Sequence, residues 1–248
     1  MGPRRKMPVT FPVANPHVCT PAVRLSVLGQ VPLFTGLSAD ELAQVDRRCR
    51  AHGFAAGEAI YHIGDAASRL YVVATGTVKA TRFNVDGRET LLDVLGPGDF
   101  LGALPALGQV QYTDSAWTLT PACLLGIDAG EFTTIMEEFP AVAMATLKGV
   151  SRRLTESQEA VHLLSGAPLE QRLAATLLLL AAKVGEPWDG ATLLQMPLSR
   201  DDLAAMTGAA TESVSRLLSS WRRRGLVETG RRWVAIRDHA ALADLRDG

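Results

Sequence analysis

From Arg50 to Ile127 the apolar residues gather in brief strand-like runs, among them AIYHIG, RLYVVATGTVKATRF, ETLLDVLG and CLLGID. Turn residues cut these runs at Gly57, Gly64-Asp65, Gly76, Asp86-Gly87 and Gly96-Pro97-Gly98-Asp99. Many short strands at close turn spacing, with no helix between them, predict a double-sheet jelly roll. On either side the period lengthens. Ahead of the roll, LSVLGQVPLFTGLSADELAQVDRRC predicts a short helical lead-in, with Ser38 capping a helix that turns Leu42 and Val45 inward. Behind it lies a long helical segment between Phe132 and Leu164. There Leu147, Val150, Leu154, Ser157, Val161 and Leu164 recur at alternating steps of three and four, a coiled-coil seam interrupted once by Ser157. Such a stripe serves either a second copy of the helix or, more commonly, the body of its own chain. The arginines and glutamates that flank this one suit the first.

The helical period continues to the C-terminus. Ser165-Gly166-Ala167 reads as a hinge, with Pro168 at the first position of a helix, PLEQRLAATLLLLAAKVG, that ends at Gly185. In the stretch from Leu198 to Ile236, Ser199 is an N-cap with Asp202 at the third helical position, and Leu203, Ala204 and Met206 point inward. Gly208 breaks this helix. A second opens near Thr211, buries Val214, Leu217, Leu218 and Trp221, and stops at Gly225, a residue suited to a left-handed cap. Two short helices joined in this way form a helix-turn-helix. Leu226 to Glu228, a Thr229-Gly230 turn and Arg231 to Ile236 then predict two strands of a basic-tipped wing.

The polar face of the second helix gives the motif a chemistry. Glu212, Ser215 and Arg216 stand at i, i+3 and i+4, near the end that such helices insert into the major groove. Arg216 can fork onto the N7 and O6 of guanine, Glu212 can accept from the amino group of cytosine, and Ser215 can do either. Arg222, Arg223 and Arg224 follow. The plainer reading is a solvated amphipathic helix pair carrying ordinary surface arginines.

Composition narrows the partners. The chain has 248 residues, 47% of them hydrophobic and 21% charged, an ordinary globular balance for two domains. With 25 basic and 26 acidic residues, any contact with nucleic acid has to come from a local basic patch. No apolar run approaches the roughly 18 residues that span a bilayer, and MGPRRKMPVTFPVANPHVCTP lacks an apolar core of signal length. A flexible arm and a cytoplasmic location are the expectation. Cys19, Cys49 and Cys123 are widely spaced with no CxxC, which argues against a secreted disulfide framework. Phosphate loop, HExxH and GxSxG motifs are absent, so no enzyme chemistry is expected.

TESVSRLLSSWRRRGLV resembles the recognition helix of the Crp/Fnr family of bacterial transcription regulators, in particular its Fnr-like branch, which carries Glu, Ser and Arg at the same spacing. GEAIYHIGDAASRLYVVATGTVKATRFNVDGRETLLDVLGPGDFLG resembles the family's sensor domain, and the likeness covers the chain from about Leu33. It implies an α+β protein: an N-terminal jelly roll like a cyclic-nucleotide-binding domain, a long dimerisation helix and a C-terminal winged helix-turn-helix. The boundaries expected are an arm at 1–24, the roll at 25–131, the helix at 132–165 and the DNA-binding domain at 166–248. The seam then pairs two copies as a parallel homodimer. Thr211, Glu212, Ser213, Ser215, Arg216, Arg222, Arg223 and Arg231 are the DNA-binding set. Ala210 stands where many relatives have a capping Ser or Thr.

In family members that bind cyclic AMP, a Gly-Glu pair and an Arg-Ser/Thr-Ala triplet form the pocket. The matching positions here are Gly102, Ala103, Asp114, Ser115 and Ala116. A carboxylate at Asp114 repels a phosphate where a guanidinium would pair with it, which argues against cyclic AMP. The iron-sulfur cluster of the Fnr branch needs four cysteine thiolates, and this chain has three cysteines, with Cys19 alone in the arm. Cys49 and Cys123 read first as small buried hydrophobes. Haem stays open, with His17, His52, His62, His162, Met136 and Met144 as candidate axial ligands without diagnostic spacing, as do redox response through Cys19 or Cys123 and action without an effector. The expectation is a DNA-binding regulator, with an operator half-site like TTGAT and RNA polymerase as a further partner implied by the resemblance. The alternative is a regulatory scaffold that binds no DNA.

Overall fold

The computed structural model describes residues 21–83, 89–102, 108, 110–194, 199–230 and 233–248. Ala103, Arg231, Cys19, His17 and the Asp86-Gly87 turn lie outside the described residues. The described residues fall into two compact units. One holds those up to Arg82 together with Leu95–Glu156, and the other holds Phe83–Val94 and Ser157–Gly248. Among them no helix is long and apolar enough to cross a membrane.

The first unit opens with α1 (Pro21–Gln30) and α2 (Ala39–Arg48). Ser38 and Glu41 form the reciprocal capping box that starts α2, and Arg24 clamps the buried Asp46 with two bonds of 2.7 and 2.9 Å that tie the helices together. Strands β1 (Cys49–Phe54), β2 (Ala59–Tyr61), β3 (Arg69–Thr75), β4 (Val78–Phe83), β6 (Phe100–Gly102), β7 (Ser115–Thr118) and β8 (Ala122–Asp128) follow, while β5 (Glu89–Leu95) falls, but for its last residue, in the second unit. One sheet runs β1-β8-β3-β6 and a second runs β2-β7-β4, with antiparallel pairing throughout. This is the jelly roll that the short strands and close turns predict.

Strand β3 shows why the roll forms. Leu70, Val72 and Ala74 pack outward against the helices, in a core with Leu28, Phe34, Phe132 and Ile135, while Tyr71 and Val73 pack inward between the sheets. With both faces apolar, the strand reads as a continuous hydrophobic run instead of a strict alternation. Fully burying each of the larger aliphatic side chains among them contributes about 1.5 to 3 kcal/mol.

After the roll the helical pattern resolves into two helices, α3 (Ala129–Glu138) and α4 (Pro140–Gly166). The expectation of one helical segment from Phe132 to Leu164 overlooked Pro140. Phe139 precedes a proline and is held extended, with φ −123, so α3 ends and α4 begins on the proline. Val142 and Thr146 are buried and Val150 packs on the core of its own unit. Leu147, Leu154 and Val161 stay 59, 59 and 61% exposed, with Leu164 and Ser157 also exposed.

The second unit contains α5 (Leu169–Val184), β9 (Glu186–Trp188), β10 (Ala191–Leu194), α6 (Arg200–Thr207), α7 (Thr211–Arg223), β11 (Val227–Gly230), β12 (Trp233–Ile236) and α8 (His239–Asp247). Pro168 is the N-cap of α5, one residue earlier than expected, and Gly185 caps its end. The wing strands β11 and β12 join a sheet in the order β11-β12-β10-β9. Gly230 pairs with Trp233 and Thr229 with Val234, so both residues of the expected Thr229-Gly230 turn are strand residues. The β9-β10 hairpin was not foreseen. It turns on Asp189 at φ 46 and Gly190 at φ 71.

Two roll glycines share φ +84 but differ in surroundings. A Cβ on Gly57 would meet nothing within 4 Å, whereas one on Gly76 would overlap the Pro121 carbonyl and come within 2.7 Å of the Ala122 Cα. Gly57→Ala should therefore lose about 1 to 2 kcal/mol, the cost of the left-handed backbone, and Gly76→Ala at least about twice that. Equal losses in urea unfolding would show that backbone conformation alone sets both costs.

Candidate nucleic-acid interface and sensor pocket

Local chemistry fixes the helix-turn-helix. Ser199 and Asp202 make the capping box expected at the start of α6, with Asp202 Oδ2 accepting from the Ser199 amide at 2.7 Å. Gly208 ends α6 in the left-handed conformation, φ 58. At the far end of α7, the amide of Leu226 donates to the Trp221 carbonyl and that of Gly225 to the Arg222 carbonyl, with Gly225 at φ 78. This is a complete Schellman stop. Ala210 caps α7 without a side-chain bond. The Thr211 hydroxyl instead donates to Asp201 Oδ1 at 2.7 Å and ties the start of α7 to α6, so it is already engaged at the position nominated for DNA.

Val214, Leu218 and Trp221 are fully buried, and the Trp221 indole N–H donates to Glu170 on α5 at 3.0 Å. Leu217 and Met206, expected inside, are half-buried. The opposite face of α7 carries one exposed stripe, Glu212, Arg216, Ser219 and Arg223, spaced i, i+4, i+7 and i+11. Ser213 and Ser215 sit half-buried along its edges, and Arg222 is exposed. Ser219 is a member that the sequence reading missed. Arg200 is another: it is half-buried, its Nη1 finds no acceptor among the described residues, and burial together with nearby Arg222 lowers its pKa. Two cations side by side with no described anionic partner create a local positive potential beside α7.

The sensor positions also converge. Gly102 is at φ +97, where a Cβ would come within 3.5 Å of the Leu70 Cα, so the strand passes closely there. Ser115 is buried and its hydroxyl accepts from the Ile63 amide at 2.9 Å, while Ala116 pairs with Tyr61 and Ala80. Asp114 accepts from the Tyr61 hydroxyl at 2.9 Å, and that hydroxyl also takes the backbone amide of Gly102. Tyr61 stacks on Tyr112 at 3.9 Å and lies 6.3 Å from Tyr71. Burial first, then the Asp114 charge, pushes the Tyr61 pKa up, so the hydroxyl keeps its proton. Nothing in the sequence marked Tyr61 as the residue that links these positions.

The candidate ligands scatter. His62 stacks edge-on with Trp117, His162 and Met144 are exposed, Met136 packs on the outer core, and His52 lies against Tyr71 with its Nε2 buried and without a hydrogen-bond partner among the described residues. Among the described residues no group of three or more His, Cys, Asp or Glu could hold a metal ion. Cys49 and Cys123 are both buried, as small hydrophobes are. Cys49 faces Ile127 and Cys123 faces Gly53, so they stand four rungs apart on the β1-β8 ladder. That is about 13 Å, too far for a disulfide.

The Cys49 thiol is pushed up to about 12, by burial and then by the Asp46 charge. At pH 8 only about one molecule in ten thousand is then thiolate. Iodoacetamide should label Cys49 at least about 100-fold more slowly in the folded protein than in urea. Comparable rates by peptide mass mapping would mean that the strand opens readily and leaves Cys49 available for redox chemistry.

Two family models match this chain: a cyclic nucleotide-binding domain over residues 51–139 and a Crp-like helix-turn-helix domain over residues 171–245. It is 30% identical over 217 residues to the cyclic AMP receptor protein of Thermus thermophilus, covering 88% of this chain and 97% of that one. To a CRP-like cAMP-activated global transcriptional regulator of Mycobacterium tuberculosis it is 28% identical over 217 residues, with the same coverage. The crystal structure of a CRP-family transcriptional regulator from Thermus thermophilus superposes with a TM-score of 0.67 at 28% identity, over 79% of this chain and 97% of that one.

Proposed function

The chain belongs to the Crp/Fnr family of transcription regulators, and from that premise we propose that it acts as a homodimer reading a two-fold symmetric operator with α7. The observation that carries the reading is the exposed stripe Glu212, Arg216, Ser219 and Arg223 on a helix capped at its C-terminal end and anchored by Trp221. Arg216 forks onto the guanine of a TTGAT-like half-site, and Glu212 accepts from a cytosine amino group. Ser213 and Ser215 supply adaptable bonds, and Arg222, Arg223 and Arg231 hold phosphates. Two copies paired along Leu147, Leu154, Ser157, Val161 and Leu164 present their α7 helices about 34 Å apart, one DNA turn. Residues 25–131 then sense, 132–165 pair the copies and 166–248 bind DNA. The dimer works in the cytoplasm and meets RNA polymerase there.

Cyclic AMP, which activates the Mycobacterium tuberculosis relative, is not the signal in this reading. Its phosphate would have to displace the Tyr61 hydroxyl from Asp114 and then face a carboxylate. The buried, protonated Cys49 likewise offers no thiolate to an oxidant.

Binding assays on operator variants at two salt concentrations test the DNA reading. Arg216→Ala should cost about 1 to 3 kcal/mol and relax preference at one base pair, whereas Arg223→Ala should weaken all sequences alike and flatten the salt dependence by about one unit. A protein that retained no specific duplex at moderate salt would act as a scaffold, and an Arg216→Ala protein with unchanged base preference would remove α7 as the reader.

Pairing has its own test. Leu154→Glu buries two carboxylates against each other in a dimer and costs a lone chain nothing, because Leu154 is exposed there. Sedimentation should show a dimer for the unaltered protein at micromolar concentration and a monomer for the variant. A monomer in both would remove the seam.

A further inference from the structure

A cavity of about 420 Å³ opens on the first unit between the connection from α1 to α2, the turn at Gly98 and α4. It is separate from the sensor positions, since Tyr61, Tyr112 and Asp114 take no part in its wall. The floor is apolar and fixed, with Leu33 and Phe100 only 2 and 6% exposed. Gly149, in the middle of α4, explains how the floor is built. A Cβ there would stand 3.0 Å from the Phe100 ring, so a glycine, at about 1 kcal/mol relative to alanine, lets that ring lie against the helix backbone. Arg153 holds the same ring from another side, its guanidinium 4.3 Å from the centroid and bonded to the Phe100 carbonyl.

The rim is cationic. Lys148 and Arg152 stand one helical turn apart on α4, both exposed. Arg152 is shared between Asp99 at 3.6 Å and Glu156 at 3.7 Å. Lys148 makes no ion pair among the described residues. One uncompensated ammonium at the mouth of an apolar cavity suits one negative charge on an apolar body. Arg152 is already shared with two carboxylates, so a dianion would find no second uncompensated cation among the described lining residues.

We propose that this cavity binds an anionic amphiphile, a monocarboxylate with a body of about ten carbons, the volume falling in the range of small-molecule pockets. The body lies on Leu33, Phe100 and Met144 with the carboxylate at Lys148. A bound ligand touches α4 at Met144, Ala145, Lys148 and Arg152, so its consequence for DNA rests on the regulator reading, while its binding does not.

Calorimetry with the full chain and decanoate, without DNA, tests the site. Saturable binding is expected with a Kd below about 1 mM. Lys148→Glu should weaken it at least about tenfold, and Ala145→Trp, which fills the cavity, should abolish it. Decanol, which keeps the body and lacks the charge, should bind at least about tenfold more weakly. Circular dichroism shows whether each variant is folded, and Lys148→Glu, a change at an exposed position, carries the test if Ala145→Trp is not. No heat with decanoate at 10 mM, or equal binding by Lys148→Glu, overturns the proposal. Cyclic AMP titrated alongside reports on the sensor positions alone, and operator retention without decanoate reports on the regulator reading alone.

Discussion

The pairing of β3 with β8 is the constraint on which the first unit depends. Tyr71 faces Gly126 and Val72 faces Leu125, and along both strands alternate residues enter different cores. Leu70, Val72, Ala74, Cys123, Leu125 and Ile127 meet the helices, while Tyr71, Val73 and Leu124 line the roll interior. A slip of one residue would exchange the two sets and put Tyr71 among the helices. Gly126 removes the room for such error, since a Cβ there would stand 3.0 Å from the His52 ring and 3.3 Å from Tyr71. The stack of Tyr61 on Tyr112, and with it the hydroxyl that engages Asp114, is placed by this register.

In the second unit the equivalent role falls to Trp221. Its ring is fully buried, and its one polar atom is satisfied by Glu170, which also takes Arg224 at 3.2 Å. That single carboxylate orients α7 from α5, while Asp201 fixes the opposite end through Thr211. A helix that reads base edges has to hold its side chains to within about half an ångström, and sites on rigid elements manage this better than sites on loops. The position of the exposed stripe is set by these anchoring residues and not by the stripe itself.

Most of this was legible in the sequence, and the exceptions have physical reasons. Caps are local, so Ser199, Asp202, Gly208 and Gly225 announced the helix-turn-helix before any packing was known. The β9-β10 hairpin could have been found the same way: Asp189-Gly190 is a two-residue turn signal of the strongest kind, passed over because only three or four residues flank it on either side. Pro140 was an equally plain signal hidden inside a helical period. Tyr61 and Arg200 were illegible for another reason. What matters in each is the neighbour, Asp114 from β2's partner region of the chain or Arg222 from the end of α7, and a sequence does not show which distant residue arrives. Ser219 falls between, visible in the periodicity but not in the family's recognition letters.

The two faces of α4 give the proposed regulator a place where sensing and pairing meet. Val142, Thr146 and Val150 pack inward, and the cavity residues Met144, Ala145 and Lys148 lie among them in sequence, while Leu147 and Leu154 stay exposed. A ligand in the proposed site would not have to bend this helix to act. It needs only to bind one arrangement of the seam more tightly than another, and each tenfold preference shifts the balance by about 1.4 kcal/mol. In the proposed dimer Ser157 would set the scale against which that shift works. A polar residue within an apolar seam specifies register at a cost in stability, so the proposed pair would be held less firmly than an all-leucine seam would hold it. A weakly held pair is the condition under which a modest ligand preference becomes a large change in population.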